Sequence, residues 1–266
     1  MRLAISHTTN YTFESPVVSA LQQLRLTPRS GEGQNVLEWQ TTVEGGASQL
    51  AYVDEHDNRV ELVGVDVGAR HVAVHAEGLV ETTDTGGVLA RHSGLAPMWL
   101  YRRETPLSKP GRAITALVAP FLADSVSVTT MHALSAKIRD DVDYVLGSTS
   151  VTMTGEEALV SGSGVCQDHA HIFASAARML GLPARYVSGY LMMDDRVDQD
   201  ATHAWAEVWI DGLGWVGFDV SNGISPDERY VRMAVGLDYR EASPIVGIRV
   251  SDGAEDLTVS IQVQQQ

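Results

Sequence analysis

The sequence predicts an α+β protein: an N-terminal antiparallel β domain, then a helix packed on an antiparallel sheet. Three observations predict it. The first third alternates apolar with other residues at period two and is broken by frequent turns. A helical run beginning near Cys166 stops at Gly181 and Pro183. Three strand-like runs follow that helix in close succession.

In chain order, Leu3 and Ile5, Tyr11 and Phe13, then Leu37, Trp39, Thr41 and Val43 hold alternate positions, as residues on one face of a strand do. Val60, Leu62, Val65 and Val67, then Val72 and Val74, continue the pattern. Turns fall at Ser30-Gly31-Glu32-Gly33, Glu44-Gly45-Gly46 and Asp57-Asn58. Residues 1–92 therefore read as a β-sandwich-like domain. Residues 93–112, with Pro97, Pro106 and Pro110, read as a linker, and residues 113–266 as the core with C-terminal strands. Within the core, Met131, Leu134, Ile138 and Val142 mark a helix, and Thr154-Gly155-Glu156-Glu157 is a capping box that starts a short one. The helix near Cys166 turns Ala170, Phe173, Ala174, Ala177 and Leu180 to one side. Strands are expected over Arg185–Leu191, Thr202–Ile210 and Trp215–Val220, and alternation returns at Leu257, Val259, Ile261 and Val263.

The composition narrows the function. The chain has 266 residues, 19 basic against 34 acidic, and a formal net charge of −15. Such a surface repels phosphate backbones and anionic lipid, so neither nucleic acid nor membrane is an expected partner. No run is apolar enough to span a bilayer and no secretory signal is visible at the N-terminus. A single cysteine excludes an internal disulfide and a multi-cysteine metal site. A cytoplasmic protein is expected.

That lone thiol is the residue to explain. Most free cysteines are small buried hydrophobes. Cys166, however, follows Ser161-Gly162-Ser163-Gly164 and stands at a helix start, where unpaired N–H groups favour an anion and a thiolate becomes a nucleophile. The same N–H groups can hold an oxyanion. A base must come from elsewhere. In Thr202–Ile210, Ala204, Ala206, Val208 and Ile210 form an apolar face, and His203, Trp205, Glu207 and Trp209 share the other. His203 beside two tryptophans reads as a cleft wall; the plainer reading is a surface or satisfied core histidine. Asp219 on the next strand is the candidate to orient the ring, against the plainer reading of a turn carboxylate. Register decides between them. A connection of odd length around Asp211–Leu213 sets Trp205 opposite Asp219 and brings Asp219 to the face of His203; an even one turns it away.

Gly164-Val165-Cys166-Gln167-Asp168-His169-Ala170-His171, Leu180–Tyr190, His203-Ala204-Trp205-Ala206-Glu207-Val208 and Gly214-Trp215-Val216-Gly217-Phe218-Asp219 resemble the bacterial transglutaminase-like superfamily. Arg25–Arg29 and Asp57-Asn58 resemble its N-terminal β domain, and Thr105-Pro106-Leu107, Tyr144–Thr149 and Ala234–Tyr239 the entry to its core and its tail. The resemblance implies a papain-like, transglutaminase-like core with Cys166 as nucleophile, His203 as base and Asp219 as orienter, and acyl transfer on a peptide or protein amide. The superfamily's Asp-Pro-Thr-Asn is replaced by Asp219-Val220-Ser221-Asn222, which puts the rigidity of that strand end in question.

The expected reaction is thioester-forming acyl transfer, hydrolytic as in a peptidase or amidase. Transamidation of glutamine is one alternative, and a non-catalytic binding module on the same fold another. Tyr144, Asp168 and Trp205 are candidates for the second oxyanion donor or the cleft, with a helix-dipole role competing for Asp168. No cofactor is expected. His169 and His171 point away from each other on a helix, so no metal site is expected either. Oligomeric state is not readable from the sequence.

Overall fold

The computed structural model describes residues 1–123, 126–250 and 252–266. Six strands come first: β1 (Arg2–Phe13), β2 (Ser19–Thr27), β3 (Gln34–Glu44), β4 (Gly46–Val53), β5 (Arg59–Val65) and β6 (His71–Thr82). A short β7 (Val88–Leu89) precedes helices α1 (Arg112–Val118) and α2 (Val128–Asp141). Then come β8 (Asp143–Tyr144), α3 (Gly155–Ser161), β9 (Ser163–Gly164) and α4 (Cys166–Met179). Strands β10 (Ala184–Leu191), β11 (Asp198–Gln199), β12 (His203–Ile210), β13 (Gly214–Phe218) and β14 (Tyr230–Gly236) follow. The chain closes with α5 (Tyr239–Ala242), β15 (Ile245–Val250) and β16 (Glu255–Gln265).

The predicted α+β class is the observed one. Two sheets, β11-β16-β1-β6-β3 and β15-β2-β5-β4, enclose a core of Leu3, Ile5, Leu24, Val63, Val72, Val74 and Val80. The period-two pattern drives this: alternate residues of β1 are buried and the intervening ones are not. One expectation is corrected here. The sequence places the C-terminal strands in the core, but β16 pairs with β1 along its length and β15 with β2. The alternation at Ile261 and Val263 reports a half-buried strand without saying which sheet receives it, and both side chains enter the sandwich core.

The linker expectation is also corrected. Between residues 93 and 112 Ala96, Tyr101 and Leu107 are buried. Arg178 of α4 straps the segment down, donating to the Tyr101 carbonyl at 3.1 Å and to Ser108 Oγ at 2.6 Å. The prolines there shape a packed path.

The core sheet runs β14-β10-β12-β13-β7, with α4 against it. Ala170, Phe173, Ala174 and Ala177 meet Ala204, Ala206 and Val208, and small side chains on both sides let helix and sheet approach closely. Helices α1, α2 and α3 contact α4, so its residues from Asp168 to Arg178 are all buried. The sandwich docks on the outer edge of β14 through two side-chain amides. Gln34 accepts from the Arg232 N–H at 2.8 Å and donates to its carbonyl at 2.9 Å, and Asn58 does the same for Val235 at 2.8 and 2.7 Å. These amides satisfy an edge that burial would otherwise leave unpaired.

Candidate active site

Cys166 is the first residue of α4 and is half-buried at the margin of the helical core. The approach to it is fixed by a parallel bridge between β8 and β9, which sets Tyr144 beside Gly164. Asp168 closes the turn. Its Oδ2 accepts from the Val165 N–H at 2.8 Å and from Thr149 Oγ at 2.7 Å, tying the loop before α3 to the helix start. Gly164 is required there, because a Cβ would lie 2.8 Å from the Asp168 side chain. As the first helical residue, Cys166 has an N–H with no carbonyl four residues back within the helix.

His203 begins β12, and the register decides its partner as anticipated. The connection Asp211-Gly212-Leu213 has three residues, Ile210 lies opposite Gly214 and Ala206 opposite Phe218. One further step sets Trp205 against Asp219. His203 Nε2 lies 2.6 Å from Asp219 Oδ2, which leaves Nδ1 to meet the thiol. Burial disfavours the charged ring, but the Cys166 sulfur and the Asp219 carboxylate outweigh it, and the imidazole is pushed up to about 10. The thiol acts on the ring as a charge and as a hydrogen-bond partner.

Asp219 is fully buried and heavily held. Its Oδ2 also accepts from Tyr230 Oη and Asn222 Nδ2, each at 2.7 Å, and its Oδ1 from the Asn222 N–H at 3.2 Å. Burial works against ionisation; the donors, His203 first, outweigh it and hold the carboxyl below its ordinary range. Tyr144 stands near the thiol, half exposed, with burial and then the charges of Cys166 and Asp219 pushing its hydroxyl up to about 12. It remains a donor at neutral pH. Asp168 and Trp205, expected in the cleft, are both buried away from solvent. Asp168 clamps the turn, and the Trp205 ring stacks at 6.3 Å on His203.

With this geometry in place, the relatives fit. Residues 116–220 match the model of the transglutaminase-like superfamily, and residues 3–81 that of the bacterial transglutaminase-like N-terminal region. Over these two stretches the chain is similar to the transglutaminase-like superfamily and its bacterial N-terminal region. Uncharacterized protein ML0607 of Mycobacterium leprae is 29% identical over 98% of both chains. Uncharacterized protein Rv2569c of Mycobacterium tuberculosis is 29% identical over 98% of this chain and 91% of its own. A solved Cytophaga hutchinsonii structure, assigned provisionally as a cysteine protease, shares the fold with a TM-score of 0.80 at 18% identity, covering 99% of this chain and 90% of that one.

The departure from the superfamily's Asp-Pro-Thr-Asn does not loosen this turn. Asp219 and Ile224 form a bridge, and the Gly223 N–H reaches the Asp219 carbonyl at 2.8 Å. Ser221, in the threonine position, bonds His169 Nδ1 at 2.8 Å, while His169 Nε2 donates to the Val142 carbonyl at 3.0 Å. His169 thus links α4, the end of α2 and the Asp219 turn. His171 takes a different partner, the Tyr239 N–H at 3.1 Å, and burial pushes its imidazole down to about 3. Tyr230 and Asn222 escaped the sequence reading as supports of Asp219. Asn222 stands within the superfamily's own motif; Tyr230, eleven residues beyond Asp219, has no local signal.

Proposed function

We propose that this chain is a cysteine-dependent acyl-transfer enzyme acting on a peptide or protein amide through a thioester, with water as the usual acceptor. The observation that carries the reading is a half-buried helix-terminal thiol facing an imidazole whose far nitrogen lies 2.6 Å from a buried carboxylate.

The Cys166 thiolate attacks the amide carbonyl, forming a C–S bond and an oxyanion. The Cys166 N–H and the Tyr144 hydroxyl are the donors placed to receive that charge. His203, as imidazolium, protonates the leaving amine as the C–N bond breaks. Water then adds to the thioester with His203 taking its proton, the acid leaves, and the thiolate–imidazolium pair returns. Asp219 keeps the ring oriented and its charged form stable throughout. The provisional cysteine-protease assignment of the Cytophaga hutchinsonii protein supports hydrolysis on the same fold. A lone thiol fits a reducing, cytoplasmic setting.

One observation favours transamidation as a second reading. Arg196 lies within electrostatic reach of Tyr144, and its segment carries Asp194, Asp195, Asp198 and Asp200, so an acidic loop stands near the thiol. Such a loop draws cationic amines.

Incubation with glutamine-containing peptides, with and without a primary amine, followed by mass spectrometry separates the readings. The expected result is an acyl adduct on Cys166 and an acid product, both absent in Cys166→Ala. Amine incorporation in preference to acid would establish the second reading, and turnover that survives Cys166→Ala would defeat both.

A further inference from the structure

Away from the thiol, a cavity of about 520 Å³ opens at the seam between the sandwich and the core. It is lined by Arg29 and Asp57 from the sandwich, Arg91 from the segment after β7, and Arg185 and Arg232 from the core sheet. Four guanidinium groups on one cavity stand out in a chain with 19 basic and 34 acidic residues. Its size lies within the roughly 300–1,000 Å³ of small-molecule sites.

Part of this charge is internal. Arg185 and Arg232 grip the buried Glu207 from two sides, at 2.6 Å each. Arg29 pairs with Asp57. Two features look outward. Arg232 commits Nε and Nη2 to Glu207 Oε1, leaving Nη1 without a partner among the described residues. Arg91 is exposed and makes no ion pair or hydrogen bond among the described residues. Its backbone is nonetheless held in place, because Glu32 accepts from the neighbouring Ala90 N–H at 2.8 Å. An exposed guanidinium whose side-chain donors are unpaired among the described residues, at the rim of a pocket with a second guanidinium inside, is suited to forked recognition of an oxyanion. Ser30 and Ser93 add neutral polar groups to the wall, and Glu32 a carboxylate held by the Ala90 N–H.

We propose that this cavity is a binding site for a small oxyanion-bearing molecule, a carboxylate or a phosphate ester, received by Arg91, Arg29 and Arg232. None of Cys166, His203 and Asp219 lines it, so the site is distinct from the proposed reaction centre.

Calorimetric titration of the full chain with succinate and with inorganic phosphate, at constant ionic strength set by chloride, tests this. Saturable binding of at least one probe is expected, weakened about tenfold or more in Arg91→Ala and unchanged in Cys166→Ala. Saturation by succinate alone assigns a carboxylate ligand, and by phosphate alone a phosphate ester. Arg91 makes no ion pair or hydrogen bond among the described residues, so its variant is expected to fold, and circular dichroism verifies this. The proposal is overturned by no saturable binding of either probe up to about 10 mM. It is equally overturned by affinity that stays the same in both Arg91→Ala and Arg29→Ala. Failure here leaves the thiol chemistry untouched, since the adduct assay does not involve this cavity.

Discussion

Tyr230 donates its hydroxyl to Asp219 Oδ2 at 2.7 Å, onto the same oxygen that His203 Nε2 reaches at 2.6 Å. β14 therefore supports the imidazole from behind, through the carboxylate. Tyr230→Phe removes one donor and leaves Asn222 in place. A hydrogen bond to a buried charge contributes about 1.5–3 kcal/mol, so turnover is expected to fall about tenfold or more. The acid limb of the pH–rate profile should also move upward, because Asp219 ionises less readily. A purely structural role for Tyr230 would lower melting temperature and leave that limb where it was.

The imidazole itself predicts a pH dependence of stability. His203 is raised from the ordinary 6.5 to about 10 by Cys166 and Asp219 against the effect of burial. The folded state thus binds the proton more tightly than the unfolded chain does. Its contribution is complete below about 6.5 and is lost as pH rises through about 10. Urea midpoints across this window should fall in the wild type and lose that component in His203→Ala. In Cys166→Ala the main favourable partner is gone, and the His203 titration followed by NMR should shift down.

Glu207 sits between two arginines with almost no solvent access, Arg185 being itself stacked 4.1 Å from the Trp215 ring. Glu207→Gln leaves both guanidinium groups without a charged partner in a buried site. A loss of about 3–5 kcal/mol in urea unfolding is expected. A change within experimental error would mean that water reaches these groups more freely than their burial implies.

Asp168 is the clamp on the thiol turn. Asp168→Ala leaves the Val165 N–H without its acceptor, at a cost of about 1–3 kcal/mol. Because Val165 directly precedes the nucleophile, Cys166 alkylation should slow as well. Asp168→Asn, which keeps an acceptor, should recover most of both effects.

Much of this arrangement was legible in the sequence, for identifiable reasons. Strand alternation places His203 and Asp219 on one face once a three-residue connection is granted, and that connection is local. The capping box at Thr154 and the end of α4 near Gly181 are local too, and both are found. What failed depends on distant chain. The pairing of β16 with β1 joins Gln265 to Leu3, and no local pattern specifies such a partner. Trp205 read as a cleft wall because alternation shows two faces without showing that the second is also covered. The prolines after Ser93 read as linker because punctuation reveals a break in regular structure, and the Arg178 contacts that pack the segment come from seventy-seven residues away.

The most direct measurement is the rate of Cys166 carbamidomethylation by iodoacetamide near pH 6, compared with a small free thiol and with His203→Ala. A thiolate held by the imidazole predicts a rate well above the free thiol, falling to that level or below in the variant. A rate equal to the free thiol and indifferent to His203 would contradict the account.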